Sequence, residues 1–304
     1  MAGLLCAIHQ PNFLPRLSTL AKLYTADIWI ILDNVQFTRR DYQHRCYLAP
    51  AADAQFPGRW LTIPVHLPGG RATLIRDVRL AEPARTAKRT SGILRHYYRR
   101  APYRSAIMNL IPGIEETITG TERLADVSKH TTITLLRLLN WPGVIRRSSH
   151  LCAREGRSER LADLTRAVRA DTYLCGTGGS RYLDPAPFTA LGLAITMFTP
   201  PEHTADLPPE NARRASVLAD LAASGPERLS AAIRDHARGN YTARYPHAAL
   251  HIVLRAMHVL SLGIHGRVYY RRYLRLYRRQ GVPAWQVCRV EHGPANGPEW
   301  PPVL

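Results

Sequence analysis

The sequence lacks any hydrophobic run long enough to cross a membrane, and it is poor in cysteine. No segment approaches the roughly 18–20 consecutive apolar residues that a transmembrane helix needs. The apolar start at residues 4–8 has neither a basic leader nor a small-residue cleavage site. The five cysteines are odd in number, scattered and free of any CxxC pair, which argues against a disulfide framework and a zinc knuckle. We therefore expect a soluble protein with reduced thiols in the cytoplasm.

Acidic residues are also scarce. Asp and Glu total 23 against 41 Lys and Arg, which leaves a formal charge of +18, and nearly all of the positive charge is arginine. Such a field favours anionic partners such as nucleic acid, nucleotides, phosphorylated sugars or an acidic carrier protein. A GC-rich genome also enriches arginine, so the charge alone leaves both explanations open. The apolar fraction of 45% is enough for a substantial core.

The order of predicted elements indicates an α/β fold. The opening predicts a β-α-β unit with strands at 4–9 and 28–32 around a helix at 17–25. Later strands are predicted at 60–66, 144–149 and 172–175, a hairpin or edge pairing at 73–80, and helices at 83–100, 103–120, 121–140 and 159–169. This alternation predicts a Rossmann-like (HUP-like) three-layer sandwich with a mostly parallel sheet.

The character of the chain changes after Pro200. Helices are predicted at 211–223 and 226–237, followed by a soft boundary near Gly239. We expect an α/β domain at 1–239 and a basic helical C-terminal extension at 240–304 packed on it. Two features of this extension invite functional interpretation.

Arginines and tyrosines interleave at 266–280 of the extension (GRVYYRRYLRLYRRQ). This stretch could bind RNA, a membrane surface or an acidic carrier domain, or it could be a packed helix whose arginines face water. His247 and His251 are four apart on a predicted helix, but no carboxylate or cysteine completes a ligand set nearby. We therefore expect no metal.

His9 is the first candidate for chemistry. It follows the first apolar strand and precedes Gln10, Pro11 and Asn12. Prolines stiffen this turn, and an imidazole held at a strand end can act as a general base. The alternative is a histidine that caps backbone carbonyl groups. Ligands of open parallel sheets gather beyond the carboxyl ends of the strands, which is where this turn falls.

A second polar cluster, residues 33–45 (DNVQFTRRDYQHR), follows the second predicted strand. Asp33 could orient His9, and arginines of the cluster could bind phosphate or carboxylate with two hydrogen bonds. The candidates are Asp33, Gln36, Arg39, Gln43 and Arg45. We expect the cluster and the His9 turn to converge on one edge of the sheet. The alternative is a solvated polar loop.

Two further candidates end predicted strands. Ser148 and Ser149 could contact a phosphate. Cys175 precedes a glycine loop at 176–179, whose Gly176, Gly178 and Gly179 could hold an oxyanion or phosphate through their N–H groups. Cys175 could be an acyl-accepting nucleophile with His9 as its base. A small buried residue without catalytic role is the alternative, and the one that we favour.

Several strings in this order resemble the WbqC-like protein family. They are IHQPNFLP at 8–15, DNVQFTRRDYQHR at 33–45, the serines at 148–149, Arg160 with Leu161, and YLCGTGGSRYLD at 173–184. The resemblance covers about residues 4–225, so the last module lies outside it. The chain departs from the usual family pattern at residues 16–18, where Arg-Leu-Ser replaces Trp-Leu-Gly, at His44, where Asn is common, and at Cys175, where Ser is usual.

The resemblance implies an enzyme of polysaccharide or natural-product (antibiotic) biosynthesis. We expect a transferase that forms an amide between an activated acyl or aminoacyl donor and a small amine, without a cofactor. His9 is expected to be the general base, oriented by Asp33 or Asn12, while Gln10, Gln36, Gln43 and Arg45 position substrate and the 176–179 loop stabilises the oxyanion. A thioester on an acidic acyl carrier protein and an aminoacyl-tRNA are the expected donors.

Two alternatives remain open. The opening also resembles pantothenate synthetase and other adenylate-forming enzymes of the HUP type, which would make the protein an ATP-dependent ligase or nucleotidyltransferase. Those enzymes carry paired histidines on the first turn, whereas this turn has His9 alone. The second alternative is a non-catalytic module that binds a carrier protein or nucleic acid through the arginine-rich tail.

Overall fold

A five-stranded parallel sheet forms the centre of the protein, and it confirms the predicted α/β class. The computed structural model describes residues 3–49, 58–179 and 181–242. The strands of these residues are β1 (Leu5–His9), β2 (Ile28–Ile31), β3 (Arg45–Leu48), β4 (Arg59–Thr62), β5 (Val65–His66), β6 (Arg79–Leu80), β7 (Val144–Arg147), β8 (Thr172–Cys175) and β9 (Ala194–Met197). The α-helices are α1 (Leu17–Thr25), α2 (Pro83–Tyr97), α3 (Arg104–Gly120), α4 (Leu124–Leu138), α5 (Arg157–Ala167), α6 (Ala186–Ala190), α7 (Pro209–Ala212) and α8 (Leu218–Thr242).

The strand order of the central sheet is β7-β2-β1-β8-β9. The chain therefore proceeds from β1 outward through β2 to β7, and then returns to the other side of β1 to form β8 and β9. The order reverses between β1 and β8, so this boundary is the topological switch point at which open parallel sheets bind ligands. The buried runs of β1, β2 and β8 occupy the middle of the sheet, and the half-exposed β7 and β9 form its edges.

The side chains of the sheet alternate between two apolar layers, as the pleat requires. Leu5 and Ala7 of β1 join a core cluster that includes residues of α1, α3, α4 and α8. Cys6 and Ile8 join a second cluster with α5 and α6 on the opposite face. Helices therefore cover both faces of the sheet, which confirms the predicted three layers.

The strands β1 and β8 separate before they end. They pair at Leu5 with Thr172 and at Cys6 with Tyr173. By contrast, β1 stays paired with β2 as far as His9, and β8 stays paired with β9 as far as Cys175. A gap therefore opens between β1 and β8 at the switch point.

The segment between β2 and β7 carries two small antiparallel pairs and α2 to α4. The strand predicted at 60–66 is divided at Pro64: β4 pairs with β3, whereas β5 pairs with β6. The expected pairing of the 73–80 stretch is thus confirmed over its last two residues. Neither β3 nor β9 was predicted from the sequence.

The helix predicted at 211–223 begins in α7 and resumes in α8, where the helix predicted at 226–237 follows it end to end. Gly225 breaks the helical geometry between them with a φ of 78°, immediately before Pro226. None of the helices in the described ranges is long and apolar enough to cross a membrane. Beyond Thr242 the predicted basic extension, with its histidines and tyrosines, lies outside the described residues.

Candidate functional site at the switch point

His9 ends β1 at the switch point, and its ring has a defined hydrogen bond. The Nδ1 atom lies 2.7 Å from the carbonyl oxygen of Gln10. A carbonyl oxygen can only accept, so Nδ1 carries the proton and Nε2 of the neutral ring keeps a free lone pair. The indole of Trp29 donates to the backbone carbonyl of His9 at 3.3 Å and holds the strand end from the α1 side of the sheet.

The surroundings of His9 keep its ring neutral. Burial is the main cause that lowers the pKa of His9 to about 3, and the positive charges of Lys22 and Arg16 lower it further. The hydrogen bond to Gln10 acts in the opposite direction without reversing the shift. His9 is therefore a neutral imidazole at physiological pH, able to accept a proton or a hydrogen bond at Nε2.

Lys22 belongs to the site, although sequence reasoning missed it. This α1 residue is 5% exposed, and its Nζ donates to the carbonyl oxygen of Ile8 at 3.1 Å. A Cβ on Gly176 would lie 3.5 Å from the same Nζ, so the ammonium group lies beside the start of the glycine loop. The feature that could have identified Lys22 from the sequence is its place as a single charge within the apolar stripe formed by Leu20 and Leu23.

The two polar clusters predicted from the sequence do meet. Gln43 donates from Nε2 to Oε1 of Gln10 at 2.8 Å, while its own Oε1 accepts from the N–H of Thr38. The backbone donor at Thr38 fixes the orientation of the Gln43 amide, which in turn makes Gln10 an acceptor. The Nε2 donors of Gln10 have no acceptor within the described ranges and are free to bind substrate. Gln43 is fully buried. It therefore positions Gln10 and does not make the substrate contact that was predicted for it.

Hydroxyl groups on α4 fix the turn that follows His9. Thr132 donates to the carbonyl oxygen of Asn12 at 3.0 Å, and Thr131 accepts from the N–H of Leu14. Ser128 donates to the carbonyl oxygen of Gln43 at 2.6 Å. Sequence reasoning missed these three α4 residues as well. The feature that could have identified them is the spacing of small polar residues at i, i+3 and i+4 within a buried stripe of the helix. Asn12 is 3% exposed and serves the turn through its backbone.

Asp33 does not orient His9 as predicted, because its carboxylate is bound elsewhere. Ser148 donates to Oδ1 of Asp33, and Ser149 donates to both oxygens through its N–H and hydroxyl groups, all at 3.0–3.1 Å. Arg147 places Nη1 3.5 Å from Oδ2. Ser148 and Ser149 thus tie the end of β7 to the end of β2. Their hydroxyls face a buried carboxylate, so these contacts give no support to the predicted phosphate contact.

Arg45 stabilises the loop that precedes β3. Its guanidinium carbon lies 4.1 Å from the ring centroid of Trp60, and its nitrogens donate to the carbonyl oxygens of Arg40 and Asp41. A guanidinium held on an aromatic face by these contacts is a structural element. The predicted substrate contact of Arg45 has no support in this geometry.

Gln36 and Arg39 are exposed members of the same cluster. Gln36 donates to the carbonyl oxygen of Arg71 at 2.6 Å and closes a loop contact. Arg39, with Arg45, adds positive charge near His44, whose pKa falls to about 4 chiefly through burial. The buried Nδ1 atom of His44 has no hydrogen-bond partner among the described residues. Substrate binding by Arg39 stays a prediction.

Cys175 has the features of a packing residue. Its side chain is fully buried in the cluster with Cys6 and Ile8, on the opposite face of the sheet from the odd-numbered residues of β1 that include His9. Its thiol contacts the carbonyl oxygen of Gly176 at 3.5 Å. Burial raises the pKa of Cys175, although Lys22 opposes this shift. The geometry therefore gives no support to a Cys175 nucleophile with His9 as its base.

The glycine loop offers fewer donors than predicted. The N–H of Gly179 is used in a turn to the carbonyl oxygen of Gly176 at 2.9 Å. The N–H groups of Gly176 and Gly178 donate to no acceptor among the residues that the structure describes. Two backbone donors thus remain beside the gap. No group of three His, Cys, Asp or Glu side chains that could hold a metal occurs in the described ranges.

Comparison with known proteins matches residues 10–229 to the WbqC-like protein family. A protein of Mycobacterium tuberculosis (strain ATCC 25618 / H37Rv), described as "Uncharacterized protein Rv1507c", is 29% identical over 203 residues. That alignment covers 63% of this chain and 80% of the relative. No solved structure gives a significant match.

Proposed function

Since the chain belongs to the WbqC-like protein family, we propose that it is an acyl- or aminoacyltransferase that forms an amide bond in polysaccharide or natural-product biosynthesis. The observation that carries the proposal is the neutral His9 ring at the switch point, with Nδ1 committed to Gln10 and Nε2 free. The amine nitrogen must lose a proton as the amide bond forms, and a neutral imidazole at a strand end can take that proton.

In the proposed reaction a neutral amine attacks the donor, and its nitrogen transfers a proton to Nε2 of His9 as the new bond forms. The amine nitrogen forms a bond to the donor carbonyl carbon, whose oxygen carries the negative charge of the tetrahedral intermediate. Collapse of this intermediate breaks the thioester C–S or ester C–O bond, and His9 returns the proton to the leaving group. The open amide of Gln10 positions the substrate.

The low pKa of His9 fits this role only if substrate binding raises it. A base is most effective when its pKa lies near the working pH. Lys22 and Arg16 lower the pKa of His9, so a substrate with negative charge beside them would raise it. Both expected donors, an acyl carrier protein and an aminoacyl-tRNA, are anionic, and they also suit the formal charge of +18.

The test is turnover of an acyl phosphopantetheine thioester, a small mimic of a carrier-bound donor that keeps its negative charge, with a panel of primary amines that includes aminosugars. Thiol release and the mass of the amide are followed for the wild type, His9→Gln and His96→Gln, the last an exposed histidine on α2. We expect His9→Gln to lower turnover by about 100-fold or more and His96→Gln to leave it unchanged. Equal turnover of the two variants would exclude His9 as the general base.

A second candidate is ATP-dependent adenylation or nucleotidyl transfer. The strand order and the buried Lys22 at the switch point favour it, because nucleotide phosphates bind at this position in doubly wound sheets. Consumption of ATP with release of AMP or pyrophosphate in the same assay would identify this activity. Turnover without ATP would support direct transfer.

A further inference from the structure

Lys22 is a buried cation without a carboxylate partner in the described part of the chain. Its side chain lies in the gap between β1 and β8, with a residue exposure of 5%. The three N–H donors of its ammonium group have one acceptor among the described residues, the carbonyl oxygen of Ile8 at 3.1 Å. Two donors and one positive charge therefore remain unmatched.

A purely structural role does not account for this charge. Removing an ammonium group from water is strongly unfavourable, and a buried cation usually has an anionic partner that offsets part of the loss. An apolar side chain of similar length would fill the same space without that penalty. An anion bound from outside would supply both the missing charge and the missing acceptors.

The gap around Lys22 has the features of an anion site. The strands β1 and β8 stop pairing at Cys6 and Tyr173, so the ammonium group lies where the sheet opens. Gly176 begins the next loop within reach of Nζ, and the N–H groups of Gly176 and Gly178 are free. Backbone N–H groups of a loop beside a cation at a switch point are a common way to bind a phosphate.

We propose that Lys22 and the N–H groups of Gly176 and Gly178 bind a phosphate group of the substrate. The proposal rests on the proposed function in taking the cleft beside His9 as the reaction site, and it names the substrate class as a phosphate ester. Both a nucleotide and the phosphopantetheine arm of an acyl carrier present such a group. Neutral donors, by contrast, would leave Lys22 unmatched.

The test is thermal unfolding of the full chain with inorganic phosphate, AMP or phosphopantetheine at constant ionic strength, with acetate, adenosine and pantetheine as controls. At about 100 times Kd we expect a phosphate compound to raise the Tm by about 5–10 °C. AMP and phosphopantetheine distinguish the two sources of the phosphate. An equal shift with acetate would overturn the assignment to phosphate.

Lys22→Met separates ligand binding from structure. We expect this variant to unfold at or above the wild-type Tm without ligand, since it removes a buried charge, and to bind phosphate about 10-fold more weakly or worse. Lys129→Met is the matched control, because the Lys129 ammonium group on α4 already has a partner in Asp126 at 3.3 Å. Undiminished phosphate binding by Lys22→Met would disprove the proposal.

A measurement on the wild type keeps the proposal testable if Lys22→Met does not fold. Tungstate, a heavy analogue of phosphate, should bind within hydrogen-bonding distance of Lys22 Nζ in soaked crystals. Tungstate bound elsewhere with this gap empty would contradict the proposal. Failure of amide formation with phosphate binding intact would instead reject only the proposed acyl transfer.

Discussion

The Nδ1 atom of His9 lies 2.7 Å from the carbonyl oxygen of Gln10, the next residue in the chain. This contact fixes the tautomer, because the carbonyl group cannot donate a proton. The ring can therefore offer its lone pair only at Nε2.

We expect ¹⁵N NMR of histidine-labelled protein to show His9 neutral, with the proton on Nδ1, from pH 8 down to about pH 4. The pKa of His9 is lowered to about 3, so its unfolded-state value lies above the folded one. This group therefore reduces stability as the pH falls from about 6.5 toward 3, because the unfolded chain binds the proton first. A His9 titration near pH 6.5 would contradict the burial and charges described above.

Cys175 and Cys152 should differ sharply in reactivity. Cys175 is buried and its pKa is raised, whereas Cys152 is exposed. Because only the thiolate reacts with iodoacetamide, we expect mass spectrometry of the native protein to show Cys152 alkylated at least about 10-fold faster. Rapid labelling of Cys175 that substrate prevents would revive the nucleophile hypothesis.

Gly225→Ala should destabilise the protein by about 2–4 kcal/mol. Gly225 has a φ of 78°, and a Cβ there would lie 2.6 Å from ring atoms of Tyr103. Gly92→Ala is the matched control in α2, where a Cβ would meet no atom within 4 Å. We expect that control to stabilise the protein by about 0.5–1 kcal/mol, as measured by denaturant unfolding. Similar unfolding midpoints for the two variants would refute the proposed strain.

His203 and Asp220 form a pH-dependent contact between the 200–208 segment and α8. Both ring nitrogens of His203 face acceptors, Oδ2 of Asp220 and the carbonyl oxygen of Ala212, each at 2.8 Å. Only the charged imidazole can donate to both. Burial opposes this charge, but Asp220 raises the pKa of His203 above 6.5.

The stabilisation by His203 should therefore be complete below pH 6.5 and be lost as the pH rises through the raised pKa. We expect His203→Gln to lower the free energy of unfolding by about 1–3 kcal/mol at pH 5.5 and by less at pH 8.5. The exposed His96→Gln is the control. A difference that is constant with pH would mean that His203 acts by packing alone.

The central strands were predictable because burial leaves a plain trace in the sequence. Strands β1, β2 and β8 are short continuous apolar runs, as expected for the middle of a parallel sheet. Strand β9 was missed because it lies at an edge and is half-exposed, and β3 because its four residues directly follow a polar loop. Pro64 can be read directly from the sequence. However, the division of one predicted strand into two strands with different partners depends on the rest of the fold.

The location of the site was more predictable than its contacts. His9 and Gln10 were identified because polar residues follow a buried strand. Asp33 was assigned to His9 for the same reason, yet its partners are the two serines that directly follow β7, a strand that the sequence does not place beside β2. Lys22 was missed since only the folded sheet shows that its ammonium group lies in the gap.

The turn after β1 is also held by hydrogen bonds from residues that directly precede α8. Ser216 donates to the carbonyl oxygen of Leu14, 202 positions earlier, and the N–H of Val217 donates to the carbonyl oxygen of Pro15. A ribosome releases Leu14 long before Ser216, so the nascent chain carries an unfinished turn through most of its synthesis. Contacts of such sequence separation also form slowly in refolding. The turn after β1 should thus be among the last parts of the α/β domain to mature.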